Sequence, residues 1–246
     1  MPQPLAARTV IRSRTCGYGM HYLQSARQIK VFLYNRNMIK HILFDLDNTL
    51  YSASYGLEKE VSRRVLEFTL SWLGLKREEG ERLWRDGYKR YGTTIEWLTY
   101  EKGFTASDEY QAYIHPENEA DALPPDPGLR RFLESLPCPC SILTNAPGFH
   151  ADRIIKKLGL EGVFSGVFDI VGNGLKGKPH ASAYYRALDA LGLKPEEVLF
   201  VDDVRGYVEG YLALGGRGIL LDEMGIHTDY THERIRSLEE LPRFLN

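Results

Sequence analysis

Two aspartates stand two positions apart in the segment FDLDNT, residues 44–49, directly after the apolar run at 42–44. An apolar run of this kind predicts a buried strand, and alternation along it directs Asp45 and Asp47 to the same side. Two neighbouring carboxylates can act as a nucleophile and as a general acid or base. The pentapeptide alone is only suggestive, because a solvated turn after a strand can have the same composition.

Further polar groups follow the later apolar runs of the chain: Thr144, Asn145, Lys178, Asp202 and Asp203. Taken singly, a hydroxyl or an amide could cap a turn, and a lysine is usually a surface residue. Two adjacent acids at the end of a buried strand are costly unless a cation lies beside them. Together the groups suit phosphoryl transfer, because a carboxylate approaching a phosphate dianion needs a lysine and a divalent cation such as Mg²⁺.

The elements that must position these groups are short apolar runs separated by helical patterns. The runs lie at 39–44, 141–143, 168–171, 198–201 and 219–221. Strands that are apolar on both faces predict an α/β fold, a Rossmann-like parallel sheet with helices on both faces. A helix is predicted over 181–191, ending before Gly192. In such a sheet the ligand crevice lies at the carboxyl ends of the strands.

The alternation is interrupted at residues 51–125, which have helical patterns throughout and contain all three tryptophans. One predicted helix presents Val61, Val65, Phe68 and Trp72 on one face and ends at Gly74, and others cover 77–90 and 94–102. We expect an inserted helical cap at 51–125, with a core domain made of 38–50 and 126–246. Aromatic residues at helical spacing usually pack, so Trp72, Trp84 and Trp97 are expected in the interior of the cap.

The first 37 residues have six Lys or Arg and no Asp or Glu, whereas the whole chain of 246 residues has a net charge of -2. This composition is typical of an organelle transit peptide, and a basic arm could also contact nucleic acid or lipid. We expect a dispensable or flexible basic extension at 1–37 instead, since a strong strand pattern follows Met38 directly.

Over all 246 residues the composition is that of an ordinary globular protein, with 43% apolar and 26% charged residues. The sequence contains no apolar stretch long enough for a membrane span. Cys16, Cys138 and Cys140 suggest no disulfide and no zinc site, and no histidine pair stands at helical ligand spacing. We therefore expect a cytoplasmic protein, a monomer or small homo-oligomer, with no membrane or nucleic-acid polymer as partner.

The polar groups resemble, in order and context, the four motifs of the haloacid dehalogenase-like hydrolases: Asp45-x-Asp47-x-Thr49, Thr144, Lys178-Pro179 and Asp202-Asp203. The resemblance covers Met38 to about Leu221, and the insertion looks like the C1 cap of that superfamily. The dehalogenase branch lacks the second aspartate, so Asp47 points to a phosphatase or a phosphomutase.

The resemblance implies a role for each motif residue. Asp45 would be the nucleophile that forms an aspartyl-phosphate, and Asp47 the general acid and base. Thr144 and Asn145 would hold phosphoryl oxygens, and Lys178 would pair with nucleophile and phosphate. Mg²⁺ would be bound by Asp45, the main chain of Asp47 and Asp203, with Asp202 bound directly or through water. The chain departs from the family pattern at Val204 and Tyr207, which leaves the surroundings of the metal open.

Three segments are similar to the pyrimidine 5'-nucleotidase branch: FDLDNTLY at 44–51, YGTT at 91–94 and LTNAP at 143–147. The implied substrate is a small phosphorylated metabolite, a nucleoside 5'-monophosphate with a pyrimidine base. Tyr91, expected in a loop of the cap, is the first candidate for stacking on the base, and Tyr51 is the second. Alternatives are a phosphatase of another small ester, a phosphomutase, or an inactive descendant that binds metal or ligand only.

Overall fold

The structure is a computed structural model that describes residues 38–245. The predictions for residues 1–37 and for Cys16 concern positions outside the described residues.

Six parallel strands form one sheet in the order β3-β2-β1-β4-β5-β6. Their bounds are His41–Phe44 (β1), Cys140–Leu143 (β2), Val167–Phe168 (β3), Val198–Asp202 (β4), Arg217–Leu221 (β5) and Arg234–Ile235 (β6). Phe44 of β1 is aligned with Ile142 of β2 and with Val201 of β4. The carboxyl ends of the three central strands are therefore level, which brings the motif residues that follow them to one edge.

Eight α-helices lie within the described residues. Their bounds are Leu57–Leu73 (α1), Arg77–Tyr91 (α2), Thr94–Lys102 (α3), Ser107–Ile114 (α4), Pro127–Glu134 (α5), Gly148–Leu158 (α6), Ala181–Leu191 (α7) and Arg205–Leu212 (α8). Short 3₁₀ helices add Ala53–Tyr55, Glu119–Ala122, Pro195–Glu197 and Leu238–Phe244. The helices predicted at 61–74, 77–90, 94–102 and 181–191 are confirmed, and α1 and α7 end at Gly74 and Gly192 in the left-handed conformation.

Both faces of the sheet are covered, as the apolar runs predict. On one face Ile42 and Phe44 of β1 pack with Ile154 of α6. On the other face Leu43 packs with Tyr184 of α7. Alternation along one strand thus supplies two separate apolar layers, and the α/β prediction is confirmed.

Residues 51–125, which we call the cap segment, supply most of one apolar cluster, which Ile170 and Leu175 complete. Trp97 is fully buried there, and it lies against Gly87 of α2, where a Cβ atom would come within 2.2 Å of the indole. The expectation of an interior position is confirmed for Trp97 but wrong for Trp72, which is 41% exposed because it lies at the outer end of α1.

Two local predictions need correction, and one short strand was not predicted. The run at 168–171 forms a strand only at Val167–Phe168, because the chain turns away at Asp169. β6 has two residues, too few for a sequence pattern to show. Tyr91 is the last residue of α2 rather than part of a loop. Within residues 38–245 no helix combines the length and the apolar character that crossing a membrane requires.

Candidate active site

A buried lysine joins two carboxylates at the carboxyl edge of the sheet. Lys178 Nζ donates to Asp45 Oδ1 and to Asp202 Oδ2, each over 2.6 Å, and its side chain is only 1% exposed. Burial alone would lower the pKa of Lys178, but the charges of Asp202 and Asp45 outweigh it and raise that pKa. The lysine therefore stays charged and offsets the cost of burying two acids.

Asn145 fixes the loop that carries this lysine. Its Oδ1 accepts the main-chain N–H of Lys178 over 2.6 Å, and its Nδ2 donates to the Lys178 carbonyl over 2.9 Å. The adjoining Lys178–Pro179 peptide is cis. The sequence suggests that Asn145 holds phosphate, whereas in the structure both polar atoms of its side chain contact the main chain of Lys178.

Thr144, at the end of β2, is 2% exposed and faces the same edge. Its Oγ1 accepts the Ala146 N–H over 3.0 Å, so the hydroxyl hydrogen is directed away from this contact. A hydroxyl in this position can donate to an oxyanion.

Asp47 is held by two donors on a single oxygen. Tyr51 Oη and His150 Nε2 contact its Oδ1 over 2.5 Å and 2.8 Å. Burial acts to raise the pKa of Asp47, but the charge and hydrogen bond of His150 prevail and lower it to about 2. The rest of the Tyr51 side chain is buried in the apolar layer beside the sheet.

His150 belongs to a polar cluster that the sequence analysis missed. Its Nδ1 lies 2.8 Å from Glu119 Oε1, and Glu119 Oε2 lies 2.8 Å from His115 Nδ1. His115 and Glu119 stand four positions apart, and together with His150 they have ligand atoms within 4.8 Å of one another. The expectations concerned a zinc site on the cysteines and a histidine pair at helical spacing, and this group is neither. The i, i+4 spacing was the available signal, but only the fold brings His150 to it.

A second group with ligand atoms within 4.8 Å consists of Asp45, Asp202 and Asp203. Asp203 accepts a long contact from Thr49 Oγ1, 3.5 Å, and burial together with Asp202 and Glu58 raises its pKa to about 7. Three carboxylates that offer oxygen ligand atoms in one place fit a hard divalent cation such as Mg²⁺. Within this group Asp202 is already engaged, since its Oδ2 accepts from Lys178 and its Oδ1 from the Val204 N–H over 2.7 Å.

Tyr207, one of the two positions where the sequence departs from the motif pattern, packs against Lys178. Its ring centroid lies 5.1 Å from Lys178 Nζ. Its hydroxyl lies 3.3 Å from that of Tyr88 on α2. Tyr207 thus connects the sheet edge with the cap segment.

A cavity of about 210 Å³ opens above these groups. Its floor is formed by the motif residues Asp45, Asp47, Thr144, Asn145, Lys178 and Asp203. Its walls come from the cap segment and include Trp84, Tyr88, Tyr110 and Gln111. Tyr91 is not among the described residues that line the cavity. Its side chain packs instead in the apolar cluster of the cap segment, the cap cluster, with the Arg90 guanidinium over its ring.

Residues 39–205 match the family model "haloacid dehalogenase-like hydrolase". The chain is 30% identical over 136 residues to phosphate metabolism protein 8 of Saccharomyces cerevisiae, covering 52% of this chain and 42% of the yeast protein. It is 26% identical over 189 residues to phosphoglycolate phosphatase of Mannheimia succiniciproducens, covering 69% and 79% of the two chains.

Solved structures show the same fold. A HAD phosphatase from Thermococcus onnurineus aligns with a TM-score of 0.59 at 19% identity, over 85% of this chain and 98% of that one. L-2-haloacid dehalogenase from Xanthobacter autotrophicus aligns with a TM-score of 0.54 at 19% identity, over 84% and 98%. The solved structures named above share the fold of this chain. Because residues 39–205, more than half of the chain, match the family model, the chain belongs to the haloacid dehalogenase-like hydrolases.

Proposed function

We propose that this hydrolase is a Mg²⁺-dependent phosphomonoesterase that acts through an aspartyl-phosphate. The observation that carries the proposal is the bridge from Lys178 Nζ to Asp45 and Asp202, 2.6 Å each, on the floor of a cavity. The bridge places the Asp45 carboxyl group beside a buried positive charge; burial raises the pKa of Asp45, and the charge of Lys178 acts to lower it. A dianionic phosphate can approach such a carboxylate, because the lysine offsets the repulsion.

In the first half of the reaction Asp45 attacks phosphorus. A bond forms between its carboxylate oxygen and phosphorus, the ester P–O bond breaks, and Asp47 gives a proton to the departing oxygen. A phosphate dianion beside Asp47 raises the affinity of that carboxylate for a proton by charge repulsion. Thr144 would donate to a phosphoryl oxygen, and Asn145 would contribute by holding Lys178 in place.

In the second half water attacks phosphorus of the aspartyl-phosphate. Asp47 takes a proton from the water, the acyl P–O bond breaks, and inorganic phosphate leaves with Asp45 restored. Asp45, Asp203 and the main chain of Asp47 would hold Mg²⁺, with Asp202 engaged mainly with Lys178. When bound, the cation supplies charge neutralisation for the phosphoryl oxygens.

The cavity walls favour a leaving group without negative charge. Of the residues that line the cavity within the described part of the chain, Lys178 is the only Lys or Arg, and Glu58 adds a further acid. Phosphoglycolate, the substrate in the name of one relative, carries a carboxylate that would need a second cation. A nucleoside has no such charge, and the aromatic wall of Trp84 and Tyr88 offers stacking surfaces for a base.

The volume of the cavity, about 210 Å³, is at the low end for a ligand pocket and favours a small phosphate ester. The aromatic wall and the three segments similar to the pyrimidine 5'-nucleotidase branch make a pyrimidine nucleoside 5'-monophosphate the proposed substrate. Phosphoglycolate is the second candidate, because a relative with 79% of its length matched carries that name.

Phosphate release from UMP, CMP, GMP and phosphoglycolate, measured with Mg²⁺ and with excess chelator, tests the proposal. We expect turnover of UMP and CMP that needs the cation and disappears in Asp45→Asn, an isosteric change that removes the nucleophile. Phosphate release undiminished by chelator, or retained by folded Asp45→Asn, would reject the mechanism. A preference for phosphoglycolate would leave the mechanism standing and replace the substrate.

A further inference from the structure

The orientation of Asp47 is set by groups outside the four motifs. Both of its hydrogen bonds from described residues fall on Oδ1, one from Tyr51 and one from His150. Because a carboxylate rotates about its Cβ–Cγ bond, two donors on one oxygen fix both oxygens. Oδ2 is then the oxygen left for a substrate, and Asp47 does line the cavity.

His150 is itself held from the other side. Its ring is 1% exposed, and Nδ1 lies 2.8 Å from Glu119 Oε1, an ion-pair contact rather than an aligned hydrogen bond. Glu119 is 2% exposed at its side chain and contacts His115 Nδ1 over 2.8 Å. Arg153 Nη1 lies 3.4 Å from Glu119 Oε1 and donates to the His115 carbonyl over 2.9 Å.

The four side chains therefore form a continuous chain of contacts, Asp47–His150–Glu119–His115. Asp47 follows β1 and His150 lies in the first turn of α6, while Glu119 and His115 belong to the cap segment. A polar cluster that served only to stabilise the fold would not need to end on the one carboxylate that must face a leaving group.

We propose that His150 is a positioning residue for the general acid: it holds Asp47 with Oδ2 toward the leaving oxygen, and Glu119 holds the His150 ring. The inference rests on the phosphomonoesterase proposed above. In the step concerned, the proton on Asp47 Oδ2 moves to the ester oxygen as its bond to phosphorus breaks. Loss of His150 leaves the acid present but free to rotate.

The leaving group distinguishes positioning of the acid from general support of the fold. The ribose 5'-oxygen of UMP needs a proton to depart, whereas p-nitrophenolate departs readily without one. The parameter to measure is kcat/KM, since it covers the steps up to release of the leaving group. His150→Ala should lower kcat/KM about 10- to 100-fold for UMP and less than about 3-fold for p-nitrophenyl phosphate.

Further variants tie the effect to Asp47. His150→Gln, whose amide nitrogen can still donate to Oδ1, should recover most of the activity on UMP. In an Asp47→Ala background His150→Ala should add no further loss, because the group it positions is gone. His232→Ala, at an exposed histidine remote from the motifs, should match wild type on both esters. Should His150→Ala not fold, Glu119→Gln is measured instead, with the same selective loss expected in smaller degree.

Equal losses on the two esters, or no loss on either, would overturn the positioning role, as would an additive loss in the Asp47→Ala background. These outcomes are separate from failure of the proposed function, which would appear as wild-type protein that releases phosphate from neither ester. If phosphoglycolate is the better substrate it replaces UMP in the comparison, because its leaving oxygen also needs a proton.

Discussion

Asn145 and Lys178 are joined by two antiparallel hydrogen bonds, in which the amide side chain of Asn145 pairs with both main-chain groups of Lys178 over 2.6 and 2.9 Å. The end of β2 thereby positions the loop that carries the charged lysine. A strand end and a loop thus act as one unit in the site.

The two hydrogen bonds between Asn145 and Lys178, which we call the Asn145 clamp, are expected to support catalysis, so that their removal impairs activity while leaving the fold intact. Asn145→Ala frees the main chain of Lys178, so Nζ loses its fixed position between Asp45 and Asp202. We expect kcat/KM to fall by about 10- to 100-fold, because misplacement of a charged group by about 1 Å costs that much. Steady-state kinetics with UMP measure the loss, and Asn118→Ala, at an exposed position of the cap segment, is the control. Unchanged kinetics would contradict the clamp.

The two adjacent acids are expected to have different functions. Asp203→Asn should greatly raise the Mg²⁺ concentration needed for half-maximal activity, because a charged ligand is lost. Asp202→Asn should lower kcat with a nearly unchanged Mg²⁺ requirement, because Asp202 contacts Lys178 and the Val204 N–H. Activity titrated with Mg²⁺ separates the two, and an equal shift in both variants would show that both bind the cation.

Tyr88, rather than Tyr91, is expected to recognise the base. Tyr88→Ala should lower kcat/KM for UMP by about 10-fold or more, because removal of a stacking ring costs about 1 to 3 kcal/mol. A small sugar phosphate should be affected much less. Tyr91→Ala should instead lower the melting temperature and affect both substrates alike, since its ring packs in the cap cluster. A base-selective loss in Tyr91→Ala would reverse this assignment.

Where α2 contacts Trp97, a side chain at position 87 is expected to destabilise the protein, because the indole leaves no room for it. Gly87→Ala places a Cβ 2.2 Å from Trp97 Cδ2, which should lower the free energy of unfolding by about 1 to 3 kcal/mol. Gly206→Ala is the matched control, since it is also helical and its Cβ meets nothing within 4 Å. Thermal melts compare the two variants, and equal stability would show that the cap segment adapts to the methyl group.

Acid stability should depend on Glu119. Burial acts to raise the pKa of Glu119, but the hydrogen bond from His115 and the ion-pair contact with His150 prevail and lower it to about 2, below its ordinary value of 4.5. A group with a lowered pKa stabilises the fold above its ordinary pKa and loses that contribution as the pH falls toward the folded value, here from about 5 toward 2.

Glu119→Gln should therefore flatten the fall in melting temperature between about pH 5 and 3, relative to wild type. Glu117→Gln, at an exposed position two residues away, should leave the pH dependence unchanged. If wild type and Glu119→Gln lose stability in parallel over this range, the two histidines do not hold Glu119 as a carboxylate.

The sheet was predictable because its strands are apolar on both faces and because helices between them carry clear 3.6-residue patterns. Phe44, the last residue of β1, is aligned with Val201, the last but one of β4, so the motif residues at the two strand ends had to meet at one edge. The groups around Asp47 were not predictable in the same way. His150 reaches Asp47 only because α6 packs with its first turn over the end of β1, and no local pattern encodes that packing.

The cap residues show the same limit. Tyr88 and Tyr91 lie on one helix. Which of the two rings faces the cavity depends on how α2 is oriented about its own axis when it packs against the rest of the molecule. Trp84, expected in the cap interior, lies in the wall of the cavity, where its Nε1 donates to Thr94 Oγ1 over 2.7 Å. Periodicity identifies the helix, whereas the assignment of its faces requires tertiary contacts.

The central place of β1 has a consequence for how the protein is made. Its partners are distant in the chain: Ile42 faces Cys140, and His41 faces Val198. A nascent chain therefore carries β1 without a neighbour until β2 has been made, and with one unpaired edge until β4 follows. We expect slow folding of high contact order, with aggregation during synthesis competing against assembly of the active site.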